Sequence, residues 1–343
     1  MNTNIQAVNS DLAARIQARI DAKTKPIGAL GQLESTAKKI ALIQNSLEPK
    51  LKKAHILLFA GDHGLCDEGI SPYPQAVTGE MLKNFQSGGA AINVFARQHQ
   101  IDLSIIDCGI KTALGLESVQ EMRLGEGTAN AKLQDAITAK QLIKGLANGA
   151  TLANKLFQDG CNTLGFGEMG IGNSSAAALI TARLCDAPID LSAGTGTGCD
   201  PEQLKHKKKV LRKTLENHQN ALTPLEVMSA FGGFEMLTAM GAMLKGAQLG
   251  MTLLIDGFIM SSVALAAVKQ ETHALDYMIF CHESASPGHR IILDELKQQP
   301  LLSLGMRLGE GTGVAVAFPI LQSACAFMNE MATFEAAEVS AKI

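Results

Sequence analysis

Five short apolar runs, each closed by polar residues and glycine, constrain the fold of this chain more than any other feature. Residues 54–60 read AHILLFA and lead into Gly61-Asp62-His63-Gly64, and 103–106 end at Asp107-Cys108-Gly109. Residues 162–166 end at Gly167-Glu168-Met169-Gly170, 252–255 at Asp256-Gly257, and 277–280 at Cys281-His282-Glu283. A continuous apolar run, rather than an alternating one, is what a strand buried on both faces requires. The intervening segments are alanine-rich and helical in pattern. Strand alternating with helix predicts an α/β fold, a Rossmann-like parallel sheet covered by helices, with ligands bound at the carboxyl ends of the strands. The polar residues fall at those ends, so the site must draw on loops far apart in sequence.

The 343 residues are long for one core, and the two ends read as a second unit. Leu12, Ile16 and Ile20, then Leu30, Leu33, Ala37 and Ile40, recur at helical spacing on either side of Lys25-Pro26-Ile27-Gly28. Residues 319–341 carry Ile320, Leu321, Ala324, Cys325, Phe327, Met328 and Met331, which predicts one more helix. A smaller helical domain built from 1–50 and 319–343 is therefore expected beside a large α/β catalytic domain of 51–318. No linker, low-complexity tract or tandem repeat divides the chain further.

Composition narrows the partners. With 46% hydrophobic and 18% charged residues and a formal net charge of -3, the chain reads as globular, without the basic field that holds nucleic acid or an acidic membrane surface. The one basic run, Lys205-His206-Lys207-Lys208-Lys209, reads as a solvated helix face with room for one functional lysine. Seven scattered cysteines with no C-x-x-C pair fit reduced thiols rather than disulfides or structural zinc. No apolar signal-peptide core precedes residue 20, so a cytoplasmic protein is expected. The greasy stretch 251–268 is interrupted by Asp256, Gly257, Ser261 and Ser262, which suits a buried strand and helix better than a membrane span.

Several motifs carry chemistry. Gly167-Glu168-Met169-Gly170-Ile171-Gly172-Asn173-Ser174-Ser175 opens an alanine-rich helix, so Asn and Ser are expected at its cap with free N–H groups aimed at an anion; an ordinary strand-to-helix turn is the plainer reading. Residues 192–198, SAGTGTG, form a second glycine-rich loop before Asp200-Pro201, a helix start. Neither loop matches a dinucleotide fingerprint or a P-loop. Asp62, His63, His282 and Glu283, with His289 nearby, are residue types a metal-dependent hydrolase uses, although no H-x-x-x-H or paired-aspartate spacing supports one. Asp256 caps the next helix or touches substrate. Glu310, within Arg307-Leu308-Gly309-Glu310-Gly311-Thr312-Gly313, is either a turn residue or a general base whose pKa an apolar cleft raises toward neutrality. Nearly the same string occurs at 123–128, with Glu126 in place of Glu310.

Taken together, GDHG at 61–64, PQxVT at 74–78, GGAAIN at 88–93, GEMGIGN at 167–173, GGFE at 232–235, DGF at 256–258 and RLGEGTG at 307–313 resemble one family over nearly the whole length. The chain is similar to the nicotinate-nucleotide:dimethylbenzimidazole phosphoribosyltransferases, enzymes of cobalamin lower-ligand synthesis. The resemblance implies transfer of phosphoribose from nicotinate mononucleotide to a benzimidazole nitrogen, giving nicotinate and α-ribazole phosphate, with no cofactor and no metal. It implies a homodimer, and it puts the catalytic base on Glu310 rather than Glu126. Phosphate and ribose contacts are implied at Glu168, Gly170, Gly172 and Asn173, with the lysine aligning best at Lys207. The base pocket is implied around Tyr73, Pro74, Met81, Leu308 and Gly309. One departure is Ser286, where relatives carry an acid in S-A-E-P-G-H. The rivals are the metal-dependent hydrolase and a nucleotide-binding module without catalysis.

Overall fold

The computed structural model describes residues 4–196 and 198–340. Two helices open the chain, α1 (Ala13–Asp21) and α2 (Gln32–Ile43). The first half then runs β1 (His55–Gly61), α3 (Ala76–Gln86), α4 (Ala91–Gln98), β2 (Asp102–Gly109), β3 (Val119–Glu121), α5 (Ala139–Gln158) and β4 (Thr163–Met169). After it come α6 (Asn173–Leu184), α7 (Ile189–Ser192), α8 (Pro201–Asn217), α9 (Pro224–Phe231), α10 (Phe234–Gln248), β5 (Thr252–Ile255), α11 (Phe258–Gln270), β6 (Met278–Phe280), α12 (Pro287–Glu295) and α13 (Thr312–Glu330).

The six strands form one sheet in the order β3-β2-β1-β4-β5-β6, and every pair is parallel. This is the expected α/β architecture, and it holds the five predicted strands. The sixth, β3, was not foreseen: it is three residues long, lies at the sheet edge, and buries only Val119, so it leaves no apolar run to read. The order of connections reverses at β1 and β4, which opens a crevice at their carboxyl ends where such sheets bind ligands.

Each sheet face is covered by its own apolar layer. On one face Leu57, Phe59, Leu164 and Phe166 pack with α5, α6, α10 and α11; on the other Ile56, Leu58 and Leu254 pack with Val314, Phe318 and Leu321 of α13. Ile16, Ile20, Ala37, Ala41, Ala324 and Met328 form a separate small cluster joining α1, α2 and the end of α13.

The last helix corrects the sequence reading. It begins at Thr312, directly after the Glu310 loop, runs through Pro319, and ends at Glu330; Ala341 lies outside the described residues. Proline inside a helix removes one backbone donor and costs roughly 3 kcal/mol. Burial of Val314, Ala315, Ala317, Phe318 and Leu321 offsets that loss. Beyond it, Thr333 pairs antiparallel with Lys23 instead of extending the helix. By length and composition α13 could cross a membrane, yet 56% of its apolar window is buried within the fold.

Candidate active site

A cavity of about 430 Å³ lies at the carboxyl ends of the strands. Its floor is the turn from Gly170 to Ser175, between β4 and α6. Gly170 is glycine because a Cβ there would lie 2.4 Å from the Gly61 carbonyl oxygen, so the ends of β1 and β4 can close on each other only without a side chain. The helix that follows departs from expectation. Its N-cap is Gly172 at φ +97°, with no side-chain cap, and the Asn173 amide donates instead to the Glu168 carboxyl. The first turn of α6 thus faces the cavity without a side-chain cap, and an anion suits it.

Lys207 completes that corner. Of the basic run it is the residue that is buried, its Nζ lies 3.2 Å from Ser174 Oγ, and it lines the cavity. Lys208 turns away to the Asp190 carbonyl, and Lys205 and Lys209 are exposed. Burial holds the Lys207 ammonium below its usual pKa, with Cys199 and Cys66 weakly opposing. No carboxylate is within ion-pair distance of it among the described residues, which leaves its charge for a ligand.

Glu310 also lines the cavity, 5% exposed. It has φ +64°, between Gly309 at +90° and Gly311 at +83°. For a residue with a side chain the left-handed region costs roughly 1–2 kcal/mol. Asp256 at the end of β5 holds the turn: its Oδ2 accepts the Gly311 N–H at 3.1 Å and its Oδ1 the Gly313 N–H at 2.8 Å. Asp256 therefore neither caps α11 with its side chain nor lines the main cavity; it is the clamp of the loop. The Glu310 side chain reaches the start of α4, where the Ile92 N–H approaches Oε2 at 3.5 Å. Burial raises the Glu310 pKa, the Ile92 N–H opposes this, and Asp256 adds to it.

Glu168 lies beneath the same loop. Burial raises its pKa to about 8, with Asp256, Glu235 and Glu310 adding to the rise and Asn173 opposing it. The protonated form is therefore favoured over that of an ordinary glutamate, and in that form the carboxyl can donate. A Cβ on Gly309 would fall 2.1 Å from Glu168 Oε1, and one on Gly167 would fall 2.5 Å from the Glu310 carbonyl oxygen. The Glu168 carboxyl and the loop that carries Glu310 are in contact, and the glycines make that contact possible.

Among the remaining expected residues, Tyr73 (50% exposed), Met81 and Leu308 (58% exposed) border the cavity, whereas Pro74 does not. Gly309 borders a smaller adjoining cavity shared with Glu168, Asp256 and His282. Ser286 lines both. Sequence reasoning missed Ile70, Val77, Phe258, Ile259 and Arg307 as lining residues. For Phe258 and Ile259 the signal was available, since they follow Asp256-Gly257 at a strand end.

The four residues of the hydrolase reading do not converge. Asp62 Oδ2 accepts the Lys111 N–H at 2.8 Å, and His63 Nε2 meets Glu235 Oε1 at 2.7 Å. His282 Nε2 lies 3.3 Å from Asp256 Oδ1, and Glu283 lies 3.8 Å from Arg290. Among the described residues no group of three or more His, Cys, Asp or Glu is placed to hold a metal ion.

The duplicated string at 123–128 has a different task. Arg123 pairs with Asp107 at 2.6 Å and donates to the Ile110 carbonyl. The Leu124, Gly127 and Thr128 amides bond to the carbonyls of Cys108, Gly109 and Asp62. It splints the ends of β1 and β2, and Glu126 is left exposed.

The chain matches a family model described as phosphoribosyltransferase over residues 5–339. It is 48% identical over 342 residues to the nicotinate-nucleotide–dimethylbenzimidazole phosphoribosyltransferase of Dechloromonas aromatica, covering 98% of both chains. To the protein of that name from Photobacterium profundum it is 46% identical over 327 residues, covering 95% of this chain and 96% of the other. The crystal structure of CobT from Thermus thermophilus superimposes with a TM-score of 0.93 at 37% identity, covering 97% of this chain and 100% of that one.

Proposed function

The chain belongs to the nicotinate-nucleotide–dimethylbenzimidazole phosphoribosyltransferase family, and from that premise we infer what each part of the cavity does. The enzyme transfers phosphoribose from nicotinate mononucleotide to dimethylbenzimidazole, a step of cobalamin biosynthesis. The observation that carries the assignment of roles is that a buried carboxylate, Glu310, lines the same cavity as an anion corner made by Lys207, Ser174 and the start of α6.

In this reading the phosphate of nicotinate mononucleotide sits against Lys207, Gly172 and the first turn of α6, where a helix N-terminus and an unpaired ammonium both favour negative charge. The ribose lies over Gly170 and Asn173 near Glu168, which, protonated, donates to a sugar oxygen. The flat bicyclic base lies among Tyr73, Met81 and Leu308, with Gly309 behind, and the cavity is of a size ordinary for such ligands. One ring nitrogen attacks the anomeric carbon as the bond to the pyridine nitrogen breaks. The bonding pair stays on nicotinate, and Glu310 takes the proton from the other ring nitrogen, so the heterocycle does not persist as a cation. Attack opposite the leaving group inverts the anomeric centre and gives the α-linked nucleotide. Burial supports Glu310 as base, because a raised pKa brings its proton affinity closer to that of the azole it serves.

The same family resemblance supports a homodimer in the cytoplasm, which light scattering on the purified protein tests. We also take 1–50 and 319–343 as a small helical unit set on a large unit of 51–318. The separate cluster around Ile16, Ile20, Ala324 and Met328 supports that division, with α13 running through the boundary.

The test is to mix the protein with nicotinate mononucleotide and dimethylbenzimidazole and to follow nicotinate release and α-ribazole phosphate. Turnover without Glu310, as Glu310→Gln, would sink the assignment of the base. Absence of turnover in the native chain would sink the reading altogether.

A further inference from the structure

His282 is buried to 2% exposure just past β6, outside the main cavity. An imidazole has two polar nitrogens, and burying either without a partner is unfavourable. Here Nδ1 makes no well-formed hydrogen bond, and the polar groups that face the ring are the Asp256 carboxylate, with Nε2 3.3 Å from Oδ1, and the Glu283 backbone. The surroundings are shaped to admit it. A Cβ on Gly313 would lie 1.9 Å from His282 Cδ2, and one on Gly257 would lie 2.9 Å from Nε2. The ring is wedged between the turn after β5 and the first turn of α13, the two segments that Asp256 ties together.

We propose that His282 is a positioning residue for Glu310: its Nε2–H holds Asp256 in place as acceptor for the Gly311 and Gly313 amides, and that clamp keeps Glu310 left-handed and aimed at the substrate. The proton must be on Nε2, because a bare Nε2 would set its lone pair against the carboxylate oxygen. With it there, Asp256 has three donors: Gly313 N–H and His282 Nε2–H on Oδ1, and Gly311 N–H on Oδ2. Burial alone would favour the neutral ring, and Asp256, with the Glu283 backbone adding to it, reverses that preference. The neighbouring His289 cannot take over the task. Its Nδ1 accepts the Ser284 N–H at 2.8 Å and its Nε2 meets Ser261 Oγ at 2.9 Å, so both ring nitrogens are committed elsewhere.

The inference rests on Glu310 being the base, and the tests separate the two. In the wild-type enzyme, long-range proton–nitrogen NMR of the labelled imidazole should show Nε2 protonated across the neutral range. A bare Nε2 overturns the proposal without any variant. His282→Ala should lower kcat on the order of 10- to 100-fold, as a small misplacement of a general base does, while KM for both substrates stays within about threefold. His282→Gln, which can still present an N–H near the Nε2 position, should recover most of the loss. Combining His282→Ala with Asp256→Asn should be no slower than Asp256→Asn alone, since the histidine acts through the aspartate. Native kcat in His282→Ala, or a glutamine variant as slow as the alanine one, refutes the proposal and leaves the assignment of Glu310 standing. If His282→Ala does not fold, the glutamine variant and the wild-type spectrum still decide.

Discussion

Replacing Glu168 by glutamine should make the protein more stable, and the stability gain should depend on pH in one direction. The Glu168 carboxyl is raised from an ordinary 4.5 to about 8, chiefly by burial and then by Asp256, Glu235 and Glu310. Between those values the folded chain keeps a proton that the unfolded chain has lost, so stability falls as pH rises through that window. At roughly 1.4 kcal/mol per pH unit, the penalty reaches about 3 kcal/mol by pH 7, as an upper bound for one carboxyl among several. Glutamine has the shape of the protonated acid, and its carbonyl oxygen can still accept from Asn173, so it keeps the packing and removes the penalty. Urea unfolding of both proteins at pH 5 and pH 7.5 measures the difference. The variant should gain on the order of 2–3 kcal/mol at the higher pH and less than about 1 kcal/mol at pH 5. A change in stability equal at both pH values would show that Glu168 ionises normally in the folded state and would refute the argument.

Other consequences follow from the same geometry. Glu310→Gln should lower kcat on the order of 100-fold or more, whereas Glu126→Gln, at an exposed position, should leave turnover within about twofold; equal losses would mean the wrong copy of the string was chosen. In the native enzyme kcat should fall on the acid side as Glu310 gains its proton, with a midpoint above the usual glutamate range because its pKa is raised, and a pH-rate profile checks this. Lys207→Met should raise KM for nicotinate mononucleotide by about tenfold or more and alter KM for the base far less, as initial rates against each substrate would show. Gly309→Ala would drive a Cβ to 2.1 Å from Glu168 at φ +90°, and should lower both stability and kcat by thermal unfolding and turnover assays. Treatment with a chelator should leave turnover unchanged, since Asp62, His63, His282 and Glu283 are each engaged elsewhere.

Much of this molecule was legible in the chain. Apolar runs closed by glycine and acid fixed a parallel sheet with its polar residues at one edge, because a strand buried on both faces has no other way to read. Helical spacing at 12–20 and 30–40 gave α1 and α2 for the same kind of reason. An acid between glycines announced close backbone approach at 307–313, and the glycines of 167–173 announced a loop for an anion. What sequence could not supply was which polar groups meet. Asp256 could equally well have capped α11, and only the packing of β5 beside the start of α13 makes it the clamp of the Glu310 turn. Five neighbouring basic positions are nearly equivalent in sequence, and the phase of α8 alone turns Lys207 inward. Two copies of one string differ in no local property that decides their use. The copy at 123–128 closes on β2 and leaves Glu126 in solvent, while the copy at 307–313 closes on β4 and β5 and buries Glu310. Local sequence sets what a segment can do, and contacts distant along the chain decide which of those things it does.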